Sequence, residues 1–220
     1  MKSIVKIFNN TREVQNKISA GRKIFEITAS LILGICLGVF SKYLDYRQAE
    51  LPYILTKINN IFDLTNFFDG FAPWILAAVC ISVYSSSPYM SAVKVFLFFL
   101  GMVGSYYLYC NFVAGFFPKS YAMIWFVFTA VSPILAFFCW YAKGNGILAV
   151  IISSCIISVL INTAFFYGIW YLSISSILNV VMLAVSLIVL KRTPKETAVM
   201  LIISVVLAAA CDNLLPYHIW

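Results

Sequence analysis

A chain of 220 residues that is 63% hydrophobic, 17% aromatic and only 10% charged falls outside the range of water-soluble domains, in which about a quarter of residues are charged. Apolar runs of about 20 residues, each long enough for a hydrocarbon layer of about 30 Å, recur along the chain without the period of two that a strand-built barrel needs, and they predict an all-α, polytopic transmembrane helix bundle. The net charge of +7 is no sign of nucleic acid: Lys2, Lys6, Arg12, Lys17, Arg22 and Lys23 precede the first run and Lys191, Arg192 and Lys195 sit between the last two, which is the pattern of cytoplasmic loops.

Residues 1–23 form a basic leader. Ile4, Phe8, Val14 and Ile18 recur at roughly helical spacing, which fits a helix on the inner leaflet or a loosely ordered basic segment. The polar stretch before the first run is too long for a cleavable signal, and no small-x-small site closes that run. The bundle is expected over 24–214. Its first span, 24–44, carries Ser30, Gly34 and Gly38 four residues apart, a small-xxx-small line that predicts a helix-packing seam with a right-handed crossing. Glu26 and Lys42 end this line about 24 Å apart along the helix, so each lies near a membrane boundary.

Over 50–68, Leu51, Ile54, Leu55, Ile58, Ile61 and Phe62 follow helical spacing beside polar residues. An amphipathic helix resting on the outer surface is expected there. A short second span follows over 71–86, with Pro73 in its first turn, then a third over 90–113. The fourth, 121–141, holds Pro133 in its interior and is expected to kink. The remaining spans are predicted over 147–168, 174–190 and 197–214, before a tail at 215–220. This makes about seven crossings, or six if the second is re-entrant. The lysine and arginine bias places the N-terminus in the cytoplasm and the C-terminus outside.

Later spans carry further polar lines. Ser154 and Ser158 continue to Asn162 at four-residue spacing, and Asn179 lies in the sixth span. If these lines face inward, Asn162, Asn179, Asp212 and the tyrosines Tyr106, Tyr107 and Tyr109 are the candidate substrate-binding residues; the alternative is that they hydrogen-bond helix to helix. The six cysteines lack C-x-x-C spacing and nearby histidines, so neither a metal site nor a disulfide framework is expected. No catalytic constellation or phosphate loop appears, and no cofactor is expected. The lone histidine, His218, sits in the tail.

The stretch 87–146, above all "FLFFLGM", "SYYLY", "FFPKSYAMIWF" and "SPILAFFCWYAKG", resembles a family of small multi-spanning membrane proteins of Gram-positive bacteria known only as a domain of unknown function. The resemblance implies a bacterial plasma membrane and a similar bundle, and supplies no functional residues. Three function classes remain open. They are small-solute transport or substrate binding, a non-transporting scaffold, regulator or immunity-type protein, and a membrane-embedded enzyme acting on lipid or peptide. The partners expected are the lipid bilayer and, for transport, another membrane subunit or an ATPase.

Overall fold

The computed structural model describes residues 11–14, 18–168 and 170–214. The predicted leader helix and the tail with His218 lie largely outside these residues. Among the described residues the chain is all helical but for one small hairpin, and five helices are long and apolar enough to cross a membrane: Ala20–Tyr46, Pro88–Phe112, Lys119–Lys143, Ile147–Ala164 and Pro194–Asn213. Large apolar side chains such as Ile32, Ile124, Phe128, Ile134 and Ile202 stand exposed along them. Apolar exposure of this extent calls for a lipid surround rather than water.

The chain divides into two compact units, one of Val14–Thr65 and Ile81–Trp140, the other of Met1–Glu13, Asn66–Cys80 and Tyr141–Trp220. In the first, helix α1 (Ala20–Tyr46) starts at Ser19, whose Oγ accepts the Arg22 amide. It is followed by the amphipathic α2 (Tyr53–Phe62), which ends at Asp63 in the left-handed region, φ 51°. Next along the chain come α3 (Leu64–Asp69) and the short apolar α4 (Ala72–Val83), most of whose residues, from Asn66 to Cys80, belong to the other unit; α5 (Pro88–Phe112) and α6 (Lys119–Cys139) complete the first. Ser87 caps α5 with Pro88 at its first position, where a missing amide donor costs nothing.

Helices α1 and α5 run parallel. Glu26 bonds Lys94, the backbone at Gly34 abuts Phe98, and that at Gly38 abuts Met102, so both residue numbers rise together. The approach is close enough that a Cβ at Gly34 would collide with the Phe98 carbonyl oxygen, and one at Gly101 would lie 2.6 Å from that of Leu31. Ser30, Gly34 and Gly38 all lie on the buried face of α1, and absent side chains let the two backbones touch. Since α1 and α5 are parallel, the chain must travel back the length of α1 between Tyr46 and Ser82.

In α6, Pro133 has no amide to offer the Thr129 carbonyl. The Ser132 hydroxyl donates to that oxygen instead, at 2.8 Å, so the freed acceptor is satisfied from one residue away. Ser82 and Ser91 meet this helix about one turn further on. Their hydroxyl oxygens are 2.5 Å apart, and each lies 2.8 Å from the Ala136 carbonyl oxygen in a fully buried node.

The second unit centres on α7 (Ile147–Ala164), α8 (Ile177–Val189) and α9 (Pro194–Leu214). Helix α7 does not continue to 168 as the apolar run suggested. At Phe165 the backbone turns extended, and β1 (Phe165–Tyr167) pairs antiparallel with β2 (Leu172–Ile174), Phe166 opposite Ser173. The aromatic Phe-Phe-Tyr run suits a pleated strand better than a helix. The hairpin corrects the bounds of the predicted fifth span and leaves the fold class all-α.

Helices α7 and α9 are parallel as well, because Ser154 reaches Met200 and Asn162 reaches Ala208, a constant offset. The 13-residue α8 brings the chain back between them. At one end the Ser175 amide donates to the Ala164 carbonyl. At the other, the Arg192 guanidinium donates to the carbonyls of Ala142 and Gly144. The turn at 143–146 is clamped from a second side by residue 11. The Asn145 amide donates to the Thr11 carbonyl at 2.7 Å, and a Cβ at Gly144 would collide with that same oxygen.

Candidate functional site

Polar side chains in an apolar helix have no water to turn to, so each must find a protein partner or hold a ligand. In the second unit, Asn162 is 5% exposed. Its Nδ2 donates to the Ala208 carbonyl at 3.2 Å and its Oδ1 accepts from the Tyr167 hydroxyl at 2.6 Å. Asn179 donates to the Thr163 carbonyl at 3.0 Å and to Ser175 Oγ at 3.3 Å. Ser154 lies within 3.1 Å of the Met200 carbonyl, and Ser158 donates to the Cys155 carbonyl of its own helix. Asp212, on α9, acts electrostatically on Tyr167. The structure therefore gathers Asn162, Tyr167 and Asp212 at the hairpin end of this unit. Tyr167 had no place in the sequence reading because the helix was expected to run past it.

Burial first, and then the Asp212 and Cys211 charges, raise the Tyr167 pKa above its ordinary value of 10.0. A phenol whose folded pKa exceeds the unfolded one contributes fully below pH 10, and that contribution is lost as pH rises through the folded pKa. Limited proteolysis of the hairpin should therefore increase above pH 10 in the wild type. Tyr167→Phe, lacking the hydroxyl, should cost about 1 kcal/mol at neutral pH and show less of the alkaline loss. Equal alkaline behaviour in the two proteins would sink this account.

The tyrosines belong to the first unit. Tyr107 is 4% exposed, packed against Phe117 and Phe126 with ring centroids at 5.5 and 5.7 Å, and its hydroxyl has no hydrogen-bond partner among the described residues. Tyr106 lies under the Lys42 ammonium, 5.3 Å from the ring centroid, and Tyr109 meets Tyr46 edge to face. Lys42 is 7% exposed and pairs with Asp45 one turn on. A buried ammonium needs this carboxylate, and the Tyr106 ring face adds to its stabilisation.

A second ion network sits at the other end of the α1–α5 pair. Glu26 accepts from Lys94 Nζ and from Arg22 Nε, each at 3.2 Å, with the Lys94 side chain 8% exposed and that of Glu26 23% exposed. Sequence spacing places Glu26 and Lys94 at boundaries of separate spans, and gives no hint that they meet. Among the described residues, no three His, Cys, Asp or Glu side chains come together.

Several charges occupy helix ends that the dipoles disfavour. A helix N-terminus is equivalent to about half a positive charge and favours acids. Yet Arg22 and Lys23 lie in the first turn of α1, Lys195 in that of α9 and Lys94 in the second turn of α5, while the acidic Asp45 and Asp212 lie at the C-terminal ends of α1 and α9. Lys143, Lys191 and Arg192 sit between the C-terminal end of one helix and the N-terminal end of the next.

No family model, curated protein or solved structure matches this chain.

Proposed function

We propose that the chain is a multi-pass protein of a bacterial plasma membrane, cytoplasmic at its N-terminus, that works in small-solute transport or substrate binding. The observation that carries this reading is an organisation used twice. A long helix leaves one side, a surface element follows, a short apolar helix intervenes, and a second long helix runs parallel to the first. Some carriers are built from repeats of parallel orientation, and a twice-used helix order is consistent with that plan. The surface elements are the amphipathic helix of residues 53–62 in one case and the hairpin in the other.

The reading makes seven crossings, with α4 and α8 as two short ones. Twelve and thirteen helical residues rise about 18–20 Å, less than the hydrocarbon thickness. Their non-helical flanks supply the rest, which a bilayer tolerates where they are buried in protein. Ser85, Ser86 and Leu190 are so buried. Ile54, Ile58 and Ile61 of the amphipathic helix are exposed beside Lys57, which fits a helix lying in the outer interface. On a background without native cysteines, Ala114→Cys and Ser173→Cys should react with an impermeant maleimide from outside, and Tyr84→Cys and Asn145→Cys only after permeabilisation. Outside labelling of Tyr84→Cys would remove the second crossing.

A non-transporting scaffold or regulator is the second reading, favoured by one specific observation. The polar groups of Asn162 and Asn179 are already engaged within their own unit. Purification from the native membrane in mild detergent, with mass spectrometry of bound proteins and metabolites, separates the two. A retained solute or stoichiometric ATPase, lost on Asp212→Asn while the fold survives, supports transport. A clean protein carrying lipid alone supports the scaffold.

A further inference from the structure

We infer that the N-terminal end of the α1–α5 pair binds the phosphate headgroup of an anionic phospholipid. The inference rests on the membrane reading above. Arg22, Lys23 and Lys94 bring three positive charges to this end, and Glu26 supplies one negative charge. Glu26 is spent on Lys94 Nζ and Arg22 Nε. The terminal amino groups of Arg22 then have no partner among the described residues, and neither does the Lys23 ammonium. The Arg22 side chain is 70% exposed. Two parallel helices add their positive dipole ends to the same surface.

The neighbouring residues decide the source of the phosphate. Directly after Arg22 and Lys23 come Ile24 and Phe25, 65% and 71% exposed, and Ile32 continues the exposed line of Phe25 two turns further at 54%. A soluble anion would gain nothing from that wall. A phospholipid places its phosphate against Arg22, with the long Lys23 side chain reaching it from the adjoining face of α1, while its acyl chain lies along Phe25 and Ile32. Lys94 is held too deep to touch the headgroup first, and contributes through its charge.

The test uses the full chain in phosphatidylcholine nanodiscs, so that insertion itself checks the membrane reading before any headgroup is compared. Binding is read by native mass spectrometry on titrating phosphatidylglycerol, with inorganic phosphate as a separate arm. The wild type should take up phosphatidylglycerol in preference to further phosphatidylcholine. Arg22→Gln with Lys23→Gln should weaken this roughly thirtyfold, and Lys23→Gln alone roughly fivefold. Among the described residues the Lys23 side chain has no hydrogen bond or ion pair that its replacement could break, so the single variant guards against a folding artefact. Equal uptake of the two lipids, or no response to Lys23→Gln, would overturn the site. Displacement of the lipid by millimolar inorganic phosphate would overturn the lipid assignment.

Discussion

Replacing Gly34 by alanine should lower the thermal midpoint of the detergent-solubilised protein by about 6–12 °C, while Gly104→Ala should leave it unchanged or slightly raised. Both glycines lie in long helices, and both substitutions add one methyl group of good helix propensity. At Gly34 that carbon would collide with the backbone oxygen of Phe98, whereas at Gly104 it meets nothing within 4 Å. A flexible side chain could yield, but a backbone carbonyl moves only with its helix. The upper end of the usual overpacking cost, about 3 kcal/mol, therefore applies. At Gly104 only the helix-propensity gain of roughly 0.5–1 kcal/mol remains. Similar shifts for the two variants, measured by thiol-reactive dye melting, would mean that α1 and α5 do not touch as described.

The second large effect is an asymmetry in the Glu26–Lys94 pair. Glu26→Gln strands the Lys94 ammonium, which is 93% buried by its 7% exposure, without its carboxylate. Lys94→Met leaves Glu26 with Arg22 still bound at 3.2 Å. Loss of a partner from a fully buried pair costs about 3–5 kcal/mol; with the carboxylate partly exposed, about 2 kcal/mol is expected for Glu26→Gln and less for Lys94→Met. The double variant, which removes both charges, should recover much of the loss. Additive costs in this double-mutant cycle would show that the two side chains are not coupled.

The long apolar runs were readable as helices because their period and composition leave no competitor, and the boundaries of α1, α5, α6 and α9 fall close to the predicted ones. The error at 165–168 has a local cause. Phe165, Phe166 and Tyr167 prolong the apolar run, and hydropathy alone does not separate a strand from the last turn of a helix. The four-residue spacing of Ser30, Gly34 and Gly38 marks the face of α1 that meets α5. What spacing cannot supply is the partner: Lys94 lies 68 positions from Glu26, and only the parallel register brings them together. The same holds for Asn162, whose spacing gives no sign that Tyr167 and Ala208 are its partners.

The clamp on the turn at 143–146 bears on biosynthesis. One jaw, Thr11, leaves the ribosome 181 residues before the other, Arg192. At about 5–20 residues per second the interval between them is on the order of 10–40 s. During that interval the Asn145 amide can meet Thr11, but the carbonyls of Ala142 and Gly144 still lack their guanidinium. The second unit is therefore closed only after residue 192 has been made, so a nascent chain stalled before it should expose this turn to a protease that the finished protein resists.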